Sequence, residues 1–343
     1  MRAYYSIIIV FLTACTAKKQ PIPATQILKL HAIDNTITQL NDSLIYSCWD
    51  TTLKIYDLKV GKVTYSRKLQ DLCYAKAVFK KDNIYFPSSN ENFVCLSART
   101  GDTIWSLKLN GRCSNFDFVE DSIIVASIKG AGIIGVNTRT GAILYSLNYS
   151  FQETHSPDLS PWPLTYDEDN IYISNWQNSA LSVYEKITGK LKWQLPNNKE
   201  GLFGPGIIYG TKLFIGSNRY YKGGKILVLD TQTGRTDFEQ EFKYEEREIP
   251  IIDKHIIYFY SYDSKLCSFD FRNNKIDTLA DLDEKTELSG NQMFMIADTI
   301  VYSDASFHLS AYALKSNKIA QMQKLQYSAL LIFKYTNKWY IVN

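Results

Sequence analysis

From residue 27 onward the chain alternates short apolar runs with polar punctuation, and no window places apolar residues at helical spacing between caps. A turn followed by an apolar strand reads "NDSLIYS" from Asn41, "KDNIYFP" from Lys81, "EDSIIVA" from Glu120 and "DNIYISN" from Asp169. It recurs as "GTKLFIG" from Gly210, "DKHIIYF" from Asp253, "ADTIVYS" from Ala297 and "NKWYIVN" from Asn337. Asp or Asn beside a small polar residue tolerates left-handed backbone, so these spell tight strand-to-strand turns. The runs are rich in Ile, Val, Tyr, Phe and Thr, which suit a pleated, half-buried surface. The pattern predicts an all-β chain.

Downstream of each such strand lies a second shared string. "LKIYDLKVGKVTYSRKL" (53–69), "LSARTGDTIWSLKL" (96–109), "IIGVNTRTGAILYSLNY" (133–149), "LSVYEKITGKLKWQLP" (181–196) and "ILVLDTQTGRTDFEQEF" (226–242) are its clear copies. In "LCSFDFRNNKIDTLADL" and "LSAYALKSNKIAQMQKL" an Asn replaces the turn Gly. A period of about 40 residues is that of four-stranded propeller blades. With strands named A to D from hub to rim, seven copies supply B, C and D, each after a plausible A. The segment "YSALLIFKYTNKWYIVN" supplies an eighth A and B, and Leu28–Leu30 falls where an outer D strand belongs. The expectation is a single β-propeller (27–343) of eight four-stranded blades, the last closed by N- and C-terminal strands, with seven blades as the alternative. Such closure removes exposed sheet edges.

Four residues after the turn Gly stand Tyr65, Trp105, Tyr145, Trp193 and Phe238. A large flat ring at a fixed place in each blade can wedge against the next, and the Gly permits positive φ in the C–D turn. These five are read as blade-locking residues.

"LSARTGDTIW" and "VYEKITGKLKW" resemble the repeat of PQQ-like β-propellers, over essentially the whole of 27–343. The resemblance implies one of two branches, the quinoprotein dehydrogenases or the BamB-like lipoproteins that help assemble outer-membrane β-barrels. Catalytic quinoproteins carry an adjacent Cys-Cys pair and calcium ligands. This chain has no such pair and is far shorter, so neither PQQ nor any other cofactor is expected.

"MRAYYSIIIVFLTAC" has one early Arg and an apolar core too short for a mature transmembrane helix. Leu12-Thr13-Ala14-Cys15 looks like a lipobox, which makes 1–14 a lipoprotein signal peptide, Cys15 the lipidation site and 15–26 a polar, Pro-containing tether. An ordinary secretory signal ending in Cys is the alternative. Thr16 is no acidic retention signal, so the expected address is the outer membrane, facing the periplasm.

The remaining chemistry is sparse. A net charge of +3, evenly spread, does not suggest nucleic acid. Cys48, Cys73, Cys95, Cys113 and Cys267 are odd in number and lack metal-ligand spacing; Cys95 reads as a core residue, and disulfides stay open. His255 reads as part of an apolar strand. There is no Walker loop, G-x-S-x-G elbow or H-E-x-x-H, so no catalytic or metal-binding residue is assigned. What remains is surface. The A–B and C–D turns share one end of each blade and are short. The D–A and B–C connections share the other end, which gathers Trp49, His155, Trp162, Trp176, Arg219, Tyr220, Tyr221, Tyr262 and Phe307. Aromatic and Arg side chains on loops of a rigid scaffold suit recognition. The leading expectation is a monomeric, non-enzymatic scaffold that binds an envelope protein, with a β-barrel assembly component as the implied partner. A glycan- or ligand-binding propeller and an immunity or inhibitor protein are the alternatives.

Overall fold

The computed structural model describes residues 25–28, 37–41, 43–49, 51–68, 77–98, 100–128, 132–147, 164–175, 180–195, 202–218, 224–244, 249–282, 293–303, 308–324, 331–335 and 338–342. Every regular element among them is a β-strand. The chain forms two compact units, one made of 1–113, 307–309 and 321–343, the other of 114–306 and 310–320.

In the first unit, blade 1 is the sheet Ile37–Asn41, Leu44–Trp49, Thr52–Asp57 and Lys62–Lys68. Blade 2 is Val78–Lys80, Asn83–Pro87, Asn92–Ser97 and Thr103–Lys108. Each is an antiparallel meander in chain order. Leu53 of blade 1 packs with Ala77, Ile84, Phe86, Val94 and Leu96, so the core is the layer between two successive sheets. A third sheet joins both ends of the chain: Leu331–Tyr335 pairs antiparallel with Lys338–Val342, which pairs in parallel with Thr25–Leu28. The N-terminal strand was expected in the outermost place. It stands at the edge of this sheet, the third strand out from Leu331–Tyr335, directly against Lys338–Val342. A meander reaches its third strand by a hairpin and must run antiparallel; a strand from the far end of the chain has no hairpin, and is free to pair in parallel.

The second unit carries blades 3 to 7 along most of their length, blade 3 running from Cys113–Phe118 to Ile143–Leu147 and blade 4 from Thr165–Tyr166 to Leu191–Leu195. Blade 5 departs from the four-strand plan: its inner strand comes in two pieces, Leu202–Phe203 and Ile207–Tyr209, both paired with Lys212–Asn218, and it ends at Thr236–Phe242. Blade 6 runs from Ile251–Asp253 to Lys275–Asp281, and blade 7 from Phe294–Ile296 to Lys318–Lys324. Their buried clusters again alternate between sheets: Val125 and Ile133 with Ile171 and Ile173, Val183 with Leu213 and Leu229, Phe214 and Val228 with Phe259 and Phe269, and Tyr260 with Tyr302 and Tyr312. At about 25 cal/mol per Å² of apolar surface, these inter-sheet layers are the main favourable term holding the sheets together. Among the described residues there are eight sheets, seven built on the blade plan and one shared by the termini. His255, expected within a strand, is the second residue of the two-residue turn that enters Ile256–Tyr260.

Candidate functional site

The two ends of a blade are built differently. At the C–D end, the turn Gly adopts φ of 66° to 72° in blades 1 to 5, and its N–H donates to the carbonyl four residues earlier at 2.7–2.9 Å. Asn274 and Asn317 hold the same conformation in blades 6 and 7, at φ 53° and 52°, with the same bond at 2.9 Å. Asn ranks next to Gly in tolerating that region, which explains why it replaces Gly there and other residues do not. The first turn residue caps the bend: Asp230 accepts from the N–H groups of Gln232 and Thr233 and from the Thr233 hydroxyl. These donors hold the Asp230 carboxyl below the usual range, the Thr233 hydroxyl contributing most. The second turn residue ties the C–D turn to the A–B turn of its own blade. Its N–H donates to Ser43, Asp82, Ser122, Asp169, Thr211, His255 and Asp298 in turn, at 2.7–3.0 Å.

That same turn receives the ring of the preceding blade. Tyr145 donates its hydroxyl to the Lys186 carbonyl at 2.9 Å, and a Cβ on Gly189 would lie 2.6 Å from its ring. Trp193 donates Nε1–H to the Thr231 carbonyl at 3.0 Å, and a Cβ on Gly234 would lie 2.6 Å from its indole. The glycines therefore serve twice, for φ and for room. Phe238 lies 5.4 Å from Phe269 of the next blade, and Tyr65 packs on the layer between blades 1 and 2. Trp105 is buried against Tyr85 and Phe93 of its own blade.

Pattern reading missed a buried charge at this end. Lys186 is 4 % exposed and holds Glu120 of blade 3 at 3.0 Å and the Asp167 carbonyl of its own blade at 3.0 Å. A signal existed: Thr138 and Thr231 fill the same turn position and are buried, so a Lys there must be partnered. Beneath it, burial alone would raise the Asp167 carboxyl, but bonds from the Tyr172 hydroxyl and the Asp169 and Asn170 amides outweigh it and hold the group below its ordinary value.

At the opposite end, the rim strands are stitched to the B–C turns. Leu109 N–H donates to the Glu91 carbonyl and Leu282 N–H to the Ser264 carbonyl, both at 2.8 Å. Tyr262 is exposed, and its N–H donates to the Lys243 carbonyl at 2.7 Å. Trp49 ends its strand opposite Thr52. Cys15, His155, Trp162, Trp176, Arg219, Tyr220, Tyr221 and Phe307 lie outside the described residues. The C–D end, with its short turns, exposes Val60 and Ile187 within those turns and Ile143, Leu144 and Leu191 just beyond them.

Cys95, Cys113 and Cys267 are buried, and burial pushes the Cys95 and Cys267 thiols up to about 11, which keeps them protonated and unreactive. Among the described residues no three His, Cys, Asp or Glu side chains converge as metal ligands would.

The family of outer membrane protein assembly factor BamB matches residues 49–162 and 159–323. The chain belongs to that family. BamB from Moraxella catarrhalis superposes with a TM-score of 0.70 at 15 % identity, covering 99 % of this chain and 96 % of that one. The computationally designed Ika8 protein gives 0.66 at 14 % identity, covering 90 % and 93 %, and Saccharomyces cerevisiae Sqt1 gives 0.68 at 10 % identity, covering 91 % of each chain. No curated protein matches by sequence. At such identities the superpositions establish a β-propeller fold, and the BamB-family match carries the PQQ-like repeat.

Proposed function

We propose that this BamB-family chain is a non-enzymatic propeller scaffold of the cell envelope, lipid-anchored through Cys15 to the outer membrane and engaged in outer-membrane protein assembly. The family match over residues 49–323 carries this reading. The lipobox at 12–15 supports the anchor, and the lack of a Cys-Cys pair supports a role without PQQ. Its partner is an envelope protein recognised at the B–C and D–A end, where aromatic and Arg residues collect. A rigid aromatic anchor at the centre of an interface costs about 2 kcal/mol or more on truncation, roughly thirtyfold in affinity.

The test is crosslinking in intact cells, with Trp162→Ala plus Trp176→Ala compared against Lys62→Ala plus Lys275→Ala at the other end. The Trp pair should abolish capture of the dominant partner while the Lys pair leaves it intact; the reverse result places the site at the wrong end. Cys15→Ala should release the chain from membranes, and an unacylated mature chain by intact mass would refute the anchor.

A further inference from the structure

The rings that meet between blades 5 and 6 differ from those at the neighbouring joints. Tyr145 and Trp193 donate forward to a turn carbonyl, and Tyr312 donates back to the Leu279 carbonyl. Between blades 5 and 6 stand Phe238, Phe269 and Phe271, whose rings carry no donor. Asn274 Oδ1 is buried there without a hydrogen bond, whereas its blade 7 counterpart, Asn317 Oδ1, lies 3.2 Å from the Tyr312 hydroxyl. Phe271 is held by other contacts. Its ring stacks on Tyr209 of blade 5 at 5.0 Å, and its N–H donates to the His255 carbonyl at 3.0 Å.

That turn-to-turn bond gives each A–B residue a counterpart, the first residue of the C–D turn. Blade 4 has Asp169 with Glu185, blade 5 has Thr211 with Asp230, and blade 7 has Asp298 with Ala313. Blade 6 alone of the seven matches a base with a carboxylate, His255 with Asp270. The two side chains are only 18 % and 21 % exposed, and His255 Nε2 lies 3.8 Å from Asp270 Oδ1. That is too far for a hydrogen bond, and Nε2 is buried with no other partner. A neutral imidazole has one N–H for two nitrogens; the cation has an N–H at both, and a charge opposite to that of Asp270.

We propose that His255 and Asp270 form a pH-gated latch on this joint: proton uptake by the imidazole draws the two turns of blade 6 together and holds Phe271 on Tyr209. An imidazole ordinarily changes charge between about pH 5 and 8. The carboxylate is ready throughout that range. The Arg272 N–H, 2.9 Å from Oδ1, holds the Asp270 carboxyl below its usual value, and the Arg272 guanidinium and His255 add to this. The latch therefore tightens as pH falls from 8 to 5. It is lost again only below about pH 3.9, as Asp270 takes up a proton. The remaining charges on these turns are Asp253 and Lys254 beside His255, and Arg272, which lies 3.5 Å from Asp270 Oδ2. Blade 5 adds the Tyr209 hydroxyl, while Arg235 pairs with Asp237 and Lys315 with Asp298 within their own blades.

The experiment is amide exchange of the full chain at pH 8 and pH 5, each rate corrected for its intrinsic pH dependence. Protection of Phe271 relative to Thr231, the matching amide of blade 5, should rise about two- to fivefold on acidification, the range of partly exposed ion pairs. Asp230 stays ionised over that interval, so the reference does not move. His255→Gln keeps a polar side chain that cannot titrate, and Asp270→Asn keeps an oxygen to accept the Arg272 N–H. Each should show a flat ratio while matching the parent at pH 8. A flat ratio in the parent chain, or a rise that survives in either variant, overturns the proposal. If one variant fails to fold, the other decides, since each removes a different half of the ion pair.

Discussion

Between blades 3 and 4, Tyr145 of the earlier blade reaches forward from its rim strand to a turn carbonyl and lies on Gly189. Between blades 6 and 7 the reach is reversed: Tyr312, in the third strand of the later blade, donates back to the Leu279 carbonyl at 3.1 Å and lies 3.2 Å from Asn317 Oδ1. Counting from the turn, Thr278 answers to Tyr145, although the register sets Thr278 against Cys267 and Asp277 against Ser268, the counterpart of Gly135; Asn317 stands where Gly189 does. Gly189 leaves room for the forward ring, whereas at the blade 7 turn the ring comes from the later blade and meets Asn317. The rim bulge moves as well. It lies two residues before the first turn residue in blades 1 to 5, as at Val183/Tyr184, and at Leu266/Cys267 in blade 6. Hence one blade-to-blade geometry is met by two side-chain solutions.

The sharpest way to break the comparison is to remove the forward ring. Trp193→Ala should cost about 3 kcal/mol, losing the indole packing and the bond to Thr231, whereas Thr278→Ala at the matching place in blade 6 should cost under about 0.5 kcal/mol. Denaturant midpoints of the two variants measure this, and comparable losses would mean the ring is not what joins blades 4 and 5.

A smaller effect should come from filling the opening. Gly189→Ala combines left-handed strain of about 1 kcal/mol with overpacking against the Tyr145 ring of about 1–3 kcal/mol. Asn274→Ala meets only the strain term, about 1 kcal/mol, since Asn274 Oδ1 has no hydrogen-bond partner to lose. Thermal melts of each should differ accordingly. In a Tyr145→Ala background the penalty for Gly189→Ala should shrink to that of Asn274→Ala, because a double-mutant cycle isolates the contact.

Blade period, all-β class and turn chemistry were legible because each depends on local residue type at fixed spacing: Thr-Gly specifies a bend regardless of its surroundings. The forward lock was legible for Tyr145 and Trp193 for the same reason. Its reversal at Tyr312 was not, because that residue sits in an ordinary alternating strand and only the three-dimensional neighbour, Leu279, gives it a role. The parallel pairing of the N-terminal strand was not legible, because alignment with a meander presumes hairpin connectivity, which a strand from the other terminus lacks.

The smallest expected effect separates blade 5 from blade 7 by pH. Asp230 caps its turn through the Thr233 hydroxyl and the Gln232 and Thr233 amides, whereas Ala313 in the same place has no side chain to accept a bond. Because the folded Asp230 carboxyl titrates below its ordinary value, its contribution is complete above the unfolded value near 3.9 and is lost as pH falls through the folded one. Below about pH 4, amide protection at Gln232 and Thr233 should therefore fall by up to roughly tenfold relative to Ser316 and Asn317 measured at the same pH. Asp230→Asn keeps an oxygen acceptor but cannot titrate, so it should show a flat ratio. A ratio that still falls with acid in that variant would assign the response to another carboxylate, with Asp167, half-buried between Tyr172 and Asn170, as the first to replace.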